Sequence, residues 1–320
     1  MKFLFASLAA FAITTLSPLA ASASEDIPDQ YPGNTLYAKP VEVIPGVFSA
    51  IGATAPPTYE NSGHNNNLSF IVTGDGVVVV NSGATELLAQ ALHAEIKAIT
   101  DEPVKLVIIE NGQGHAMLGN SYWADLGVPI LGHVDAADEI AENGDFILQG
   151  MRRYNRDKAG ETRVVAPTLT FEDSYDASMG NFTIEVLHLG PAHSPGDIQV
   201  WLPDQSIVIA GDMAFHERML PVFQDTLTLD WLDTWVNAFE GLNATYVIPG
   251  HGHPTNMAQV RRYTHDYLVY LREKVGAVLD AGGTLEEAYY VDQTPYAHLD
   301  TFEQLATRNA GHVYAEMEWE

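Results

Sequence analysis

Three loops in the second half of the chain carry histidine and aspartate side chains among glycines and prolines. They read GPAHSPGD, AGDMAF and PGHGHP, and they contain His193, Asp212 and His251. Imidazole and carboxylate groups are common zinc ligands, while glycine and proline fix loop shape and let backbones approach closely. We therefore predict that these three side chains line one cleft and bind a metal ion.

A fourth loop, ENGQGHAMLGN at Glu110–Asn120, follows the apolar run VKLVII and offers one further histidine, His115. Asn111 and Gln113 in this loop supply only neutral amides, which are poor zinc ligands beside imidazole. We expect these two amides to line the cleft and hold substrate or water, although Asn111 with the following glycine also suits a simple turn. His115 is either a metal ligand or an ordinary residue at the start of a helix.

Three more polar residues lie close to these loops in the sequence. Asp197 ends the SPGD stretch, and we interpret it as a residue that orients the loop beside the ligands. His216 and His253 follow Asp212 and His251 closely. We predict that all three line the cleft, with exposed loop positions as the alternative for the two histidines.

The elements between these loops predict the scaffold that positions them. Each loop follows a short β-branched run, and helical spacing follows most strand groups, so each half of the chain has strands first and helices after. Thr85 is the predicted N-cap of a helix that extends to about Thr100, Thr73–Gly76 is a predicted hairpin turn, and one long helix is predicted around Met257–Asp280. Two mixed sheets that face each other, with helices outside, satisfy this order.

The ordered set of motifs resembles the metallo-β-lactamase superfamily. The stretches GHAMLGN, GPAHSPGD, AGDMAF and IPGHGHP carry the resemblance, together with NLSFIVTGDGVVVVNSG near the start, over about Val41–Asp280. The glyoxalase-II-like and quinoprotein-relay-type metallohydrolases are the subsets that it suggests. The resemblance implies an α/β (α+β) fold, a four-layer αββα sandwich of two mixed β-sheets flanked by helices. It also implies metal-assisted hydrolysis in a cleft between the sheets.

The resemblance also locates a departure from the family pattern. Members carry His-x-His-x-Asp-His in the first loop, followed by x-x-Gly-Asn, and Gly119-Asn120 anchor that pattern here. The four ligand positions then hold Asn111, Gln113, His115 and Ala116. A complete two-metal site is therefore not expected. The ligands that remain for a single zinc ion are His115, His193, Asp212 and His251.

Composition excludes several classes of partner. The chain has 320 residues and a formal net charge of -27, from 42 acidic and 15 basic residues. Such a surface repels nucleic-acid phosphates and anionic lipids, so we expect no nucleic-acid partner. Because the chain has no cysteine, a metal must bind through histidine, carboxylate or other oxygen ligands.

The first residues resemble an export signal. Residues 1–23 combine a lysine, a short apolar run and an Ala-Ser-Ala cleavage sequence, which is typical of a secretory signal peptide. We expect residues 24–40 to form an exposed lead-in and residues 41–320 a single domain. The mature protein is then predicted to be periplasmic, without a stable membrane anchor.

Three functions fit these patterns. The first is a hydrolase of an ester, thioester or amide in a small molecule, with one zinc ion and with Asp212 and His115 as catalytic residues. The second is a catalytically silent or ligand-binding relative that has lost the metal. The third is a metal-free reaction in which His115 is a general base.

Overall fold

Two mixed sheets form the centre of the molecule. The computed structural model describes residue 31 and residues 33–320, so the predicted signal peptide lies outside the described residues. The first sheet has the strand order β1 to β7. Its strands are Val41–Ile44, Val47–Ala50, Leu68–Val72, Val77–Val80, Val104–Ile108, Ile130–His133 and Leu169–Phe171. The second sheet has the order β12-β11-β10-β9-β8, with β8 Ser174–Asp176, β9 Glu185–Leu187, β10 Gln199–Leu202, β11 Ile207–Phe215 and β12 Tyr246–His251.

The strand directions bring several carboxyl ends to one edge. In the first sheet, β4, β5, β6 and β7 are parallel neighbours. In the second sheet, β11 and β12 are parallel, whereas β8 to β11 pair antiparallel. Residues that follow parallel strands therefore share an edge, which is where α/β proteins place their sites.

Helices cover the outer faces of both sheets. In the part of the chain that the structure describes, the α-helices are α1 Glu86–Ile99, α2 Gly114–Met117, α3 Asn120–Asp125, α4 Val134–Asn155, α5 Thr228–Thr234, α6 Met257–Tyr263, α7 His265–Asp280, α8 Leu285–Ala288 and α9 Phe302–Met317. Among those described residues, no helix combines the length and the apolar character needed to cross a membrane.

The hydrophobic core has three layers, which alternation within the strands explains. In β4, Val78 and Val80 pack between the two sheets, while Val77 and Val79 pack against the helices on the outer face. A third cluster joins the outer face of the second sheet to helices α5, α7 and α9. Because both faces of each sheet are covered, their strands are apolar on both sides. The predicted αββα sandwich is confirmed.

Several local predictions are also confirmed. The hydroxyl of Thr85 accepts a hydrogen bond from the backbone N–H of Leu88 at 3.0 Å, as expected for an N-cap. The turn between β3 and β4 is closed by a bond from Thr73 N–H to the Gly76 carbonyl oxygen at 3.1 Å. The chemistry of these turns and caps is local, so sequence alone was sufficient.

Two other predictions were wrong for tertiary reasons. The long helix after Met257 is divided at Thr264, whose hydroxyl accepts from Phe215 N–H at 2.9 Å. The lead-in was expected to be exposed, but Leu36, Tyr37 and Ala38 are buried.

Candidate metal centre

Four chain segments bring polar side chains to the shared edge of the sheets. Glu110 follows β5, and the chain turns from there into α2, which carries His115. His193 lies in the loop between β9 and β10, and His251 is the last residue of β12. Asp212 was expected after its strand but lies inside it, because β11 continues to Phe215.

Asp212 is at the centre of this group. Strand β11 is irregular at Gly211, which adopts a φ of +55° and leaves no room for a side chain beside Glu110. The irregularity directs the buried Asp212 carboxylate toward three histidines. Its oxygens lie 3.3 Å from His115 Nε2, 3.3 Å from His251 Nε2 and 3.8 Å from His193 Nε2. Burial by itself raises the pKa of Asp212, but His115 and His251 hold it well below its usual range.

The backbone fixes the orientation of His251. Its Nδ1 atom lies 2.5 Å from the carbonyl oxygen of Asn65, which only accepts, so Nδ1 carries the ring proton. Arg218 Nη1 lies farther from the same nitrogen, at 3.3 Å. Burial and the Arg218 guanidinium lower the pKa of His251 to about 4, so the ring is neutral. Its Nε2 lone pair therefore points at an oxygen of Asp212.

His115 contacts two carboxylates. Its Nε2 atom lies 3.1 Å from Glu110 Oε1 as well as 3.3 Å from Asp212 Oδ2. Burial alone would lower the pKa of His115, but Asp212 and Glu110 outweigh that effect and raise it to about 10. Burial and Asp212 in turn raise the pKa of Glu110. In the absence of a metal ion, His115 is thus a cation between two acidic groups.

The structure brings three of the four predicted ligands into one group. Ligand atoms of His115, Asp212 and His251 all lie within 4.8 Å of one another. His193 is buried beside Asp212 but lies outside this group, and its Nδ1 atom has no hydrogen-bond partner among the described residues. Burial lowers the pKa of His193 to about 4, which keeps its ring neutral.

The two first-loop amides have different positions. Asn111 is fully buried, and its Nδ2 atom donates to Asp197 Oδ1 at 3.0 Å and approaches Asp212 Oδ2 at 3.5 Å. An amide N–H therefore faces the carboxylate at a position where the family resemblance expects a histidine ligand. Asn111 does not line the cavity, contrary to prediction, whereas Gln113 does.

The other predicted cleft residues lie elsewhere. Asp197 is buried behind Asn111, where it accepts from the N–H and the hydroxyl of Ser194, which agrees with a role in orienting the loop. Burial and Asp212 raise the pKa of Asp197 to about 8. His216 and His253 lie outside the cavity. The Nδ1 atom of His216 bonds to the carbonyl oxygen of His253, and the Nδ1 atom of His253 bonds to the carboxylate of Glu217. Their prediction as cleft-lining residues is wrong, because a glycine turn between His251 and His253 reverses the chain.

Sequence reasoning missed Glu110. This glutamate is the first polar residue after an apolar strand, and the pattern gave no reason to separate it from an ordinary turn. Only the fold places it 3.1 Å from His115. The spacing of residues in the sequence does not show that the Glu110 and Asp212 carboxylates both contact the His115 ring.

The histidine and aspartate group lies at the wall of a cavity of about 370 Å³. A cavity of this volume suits a small molecule rather than a macromolecule. Helices α4 and α9 supply much of its lining. These two helices contribute Ile147, Gly150, Met151, Tyr154, Leu305 and Arg308 to the lining.

The residues present fit a single metal ion. The Nε2 lone pair of neutral His251 and the Oδ1 atom of ionised Asp212 face each other at 3.3 Å, and Asp212 Oδ1 accepts no hydrogen bond among the described residues. Ligands of a tetrahedral zinc ion with bonds of about 2.0–2.1 Å are themselves roughly 3.3 Å apart. Two imidazoles and one carboxylate also form a known type of catalytic zinc site. His115 completes this set once it has lost its Nε2 proton.

Comparison with known proteins finds one family model that matches part of the chain. The model of the metallo-beta-lactamase superfamily matches residues 114–251, the segment that holds all four histidine and aspartate positions. Over that segment the chain is similar to the metallo-beta-lactamase superfamily. The resemblance stated from the sequence is confirmed, with three of four first-loop ligand positions lacking a histidine or carboxylate.

Two curated proteins are similar to parts of the chain. A linear primary-alkylsulfatase of Pseudomonas sp. is 22% identical over 261 residues, which is 68% of this chain and 48% of the relative. A type 2 metallo-beta-lactamase of Bacteroides fragilis is 31% identical over 124 residues, covering 36% of this chain and 49% of the relative. The chain therefore spans about half the length of these two relatives.

Solved structures share the fold of the superfamily. A metallo-beta-lactamase from Pontibacter korlensis aligns with a TM-score of 0.60 and 20% identity, over 72% of this chain and 98% of that one. A sec-alkylsulfatase from Pseudomonas sp. aligns with a TM-score of 0.68 and 18% identity, over 88% of this chain and 51% of that one. The TM-scores show a common fold, and at these sequence identities they show the fold alone.

Proposed function

We propose that the chain is a hydrolase of an ester, thioester or amide that uses one metal ion bound by His115, Asp212 and His251. The observation that carries the proposal is the pair of lone pairs of His251 and Asp212 at 3.3 Å, beside a substrate-sized cavity. His193, 3.8 Å from Asp212, is the candidate fourth ligand. Zinc is the ion that this nitrogen and oxygen set fits best.

The residues around the ion divide the remaining tasks. The Asn65 carbonyl orients His251, and Glu110 accepts a hydrogen bond from His115 Nε2 while that nitrogen is protonated. Asn111 donates toward Asp212 and holds Asp197 behind it. A bound metal ion supplies Lewis-acid polarisation of the scissile bond and an activated water. Asp212 and His115 border the cavity, where a proton from the reacting groups can be accepted.

A sulfate ester is a second candidate substrate. Two relatives carry the word alkylsulfatase in their names, and one of them aligns over 88% of this chain. The test is a panel of carboxylic esters, thioesters, amides and sulfate esters, assayed with zinc-loaded wild-type protein and with Asp212→Asn. Hydrolysis of one class by the wild type alone supports the proposal. A wild type that contains no metal and hydrolyses nothing supports the silent, ligand-binding alternative.

Export to the periplasm is a separate proposal, supported by the sequence of residues 1–23. Cell fractionation and mass spectrometry of the mature N-terminus test it. We expect a periplasmic protein that begins at Ser24. A full-length N-terminus in the cytoplasmic fraction contradicts it.

A further inference from the structure

One face of helix α4 forms a wall of the cavity. Ile147, Gly150, Met151 and Tyr154 recur at helical spacing and all line it. Three of these side chains are large and mainly apolar. Helix α9 adds Leu305 from the other side. A ligand between the two helices therefore meets an apolar surface.

Gly150 is the one position of this wall without a side chain, and neither its backbone conformation nor its neighbours require a glycine there. It lies inside α4 with ordinary helical geometry, and a Cβ placed there would meet nothing nearer than Arg153 Nη2 at 3.7 Å. Gly144 in the same helix is different, since its Cβ would collide with Val164 at 2.7 Å. Glycine inside a helix is less stable than alanine at the same position. The absence of a side chain at Gly150 leaves space in the cavity at that cost.

Arg308 supplies a positive charge to the same cavity. It is exposed on α9 and forms no ion pair among the described residues, whereas Arg163, Arg261 and Arg272 pair with carboxylates. Its guanidinium is therefore available to a negative group in the cavity. Among the described lining residues of the cavity, Asp212 is the sole carboxylate.

The charges around Arg308 determine on which side of its guanidinium a negative group would bind. A neighbouring depression shares Ile147 and Arg308 with the cavity but also contains Glu139 and Asp225. A negative group placed there would meet two acidic side chains. A negative group on the cavity side of Arg308 avoids them and keeps the guanidinium contact.

We propose that the cavity selects a substrate with an apolar body and one negative charge, where Gly150 leaves room for the body and Arg308 binds the charge. This inference names the substrate class of the proposed hydrolase, and it rests on that function only in taking the cavity as the substrate site. Selection against cations and against bulky bodies follows from it.

The probe is octane-1-sulfonate, which is not hydrolysed, titrated calorimetrically into the purified protein with and without zinc. We expect it to bind more tightly than butane-1-sulfonate and octylammonium. Arg308→Gln should weaken the binding of octane-1-sulfonate by about fivefold, because a partly exposed ion pair contributes about that much to affinity. The same substitution should not weaken the binding of octylammonium. Arg262→Gln, an exposed arginine on α6 outside the cavity, is the matched control and should change nothing.

Gly150 is tested with two substitutions that favour the helix. Gly150→Leu should weaken the binding of octane-1-sulfonate by roughly tenfold or more, because the added side chain fills the space that the ligand needs. Gly150→Ala should have an intermediate effect on binding. Both variants should be at least as stable as wild type, because glycine is a poor helix former. Equal binding of the sulfonate and the ammonium, or no effect of Arg308→Gln and Gly150→Leu, overturns the inference. Sulfonate binding with these dependences in a protein without metal or hydrolysis leaves the inference standing and refutes the hydrolase.

Discussion

The Nε2 atom of His251 and the Oδ1 atom of Asp212 face each other at 3.3 Å, and neither has a proton to share. The ring proton of His251 is on Nδ1, bonded to Asn65, and the low pKa of Asp212 keeps its carboxylate ionised. Two electron pairs this close in a buried site repel each other, and a cation between them would remove that repulsion. The hypothesis of a metal ion at this position follows from that geometry.

Asp212→Asn should remove both the metal and any hydrolysis. The amide donates less charge, and the substitution leaves the His115 cation beside Glu110 alone. We expect metal content to fall below detection after dialysis and hydrolysis to fall by at least about a hundredfold. Asp138→Asn, an exposed aspartate on α4, is the matched control. Full metal content in Asp212→Asn would contradict the ligand assignment.

Glu110→Gln should allow the metal to bind at lower pH. The Glu110 carboxylate helps to raise the pKa of His115, and His115 must lose its Nε2 proton before it can ligate. A neutral amide lowers that pKa, so the pH midpoint of zinc binding should shift downward. Zinc titrations across a pH series measure the midpoint, with Glu142→Gln as an exposed control. An unchanged or higher midpoint would show that Glu110 does not compete for this histidine.

The metal-free protein should lose stability in alkali. The folded-state pKa of His115 is raised from 6.5 to about 10, so the protonated ring stabilises the fold fully below the unfolded value. That stabilisation is lost as the pH rises from about 7 to about 10. Urea unfolding in the presence of a chelator should show a decrease of a few kcal/mol in wild type. His115→Gln lacks this titration and should show a smaller decrease, and equal decreases would contradict the assignment.

Restoring two histidines should restore a second metal. Asn111 and Gln113 occupy the first-loop positions where the family resemblance expects histidines, and Asn111 lies beside Asp212. The double variant Asn111→His with Gln113→His should bind two ions per chain, because a second ligand set is then complete. Metal analysis of the folded variant measures the stoichiometry. A variant that still binds a single ion would show that more than these two ligands has changed.

Sequence was sufficient where the controlling interactions are local. The Thr85 cap and the Thr73–Gly76 turn both depend on neighbours in the chain, and both are confirmed. The break at Thr264 depends on a hydrogen bond to Phe215, 49 residues away, which helical periodicity cannot show.

The site residues were likewise predicted only in part from the sequence. The ordered loops predicted that His115, Asp212 and His251 would meet, and the structure groups them. Proximity in the sequence was misleading for His216 and His253, which turn away from the cavity. Glu110 was missed because its significance arises only when β5 and β11 are adjacent to His115 in the fold.

Metal content of the purified wild-type protein tests the central claim most directly. The protein is supplemented with zinc or manganese, dialysed, and analysed by inductively coupled plasma mass spectrometry beside His251→Ala. One ion per chain in wild type and none in His251→Ala is the predicted result. No bound metal in the supplemented wild type, or two ions per chain, would contradict the single-metal centre.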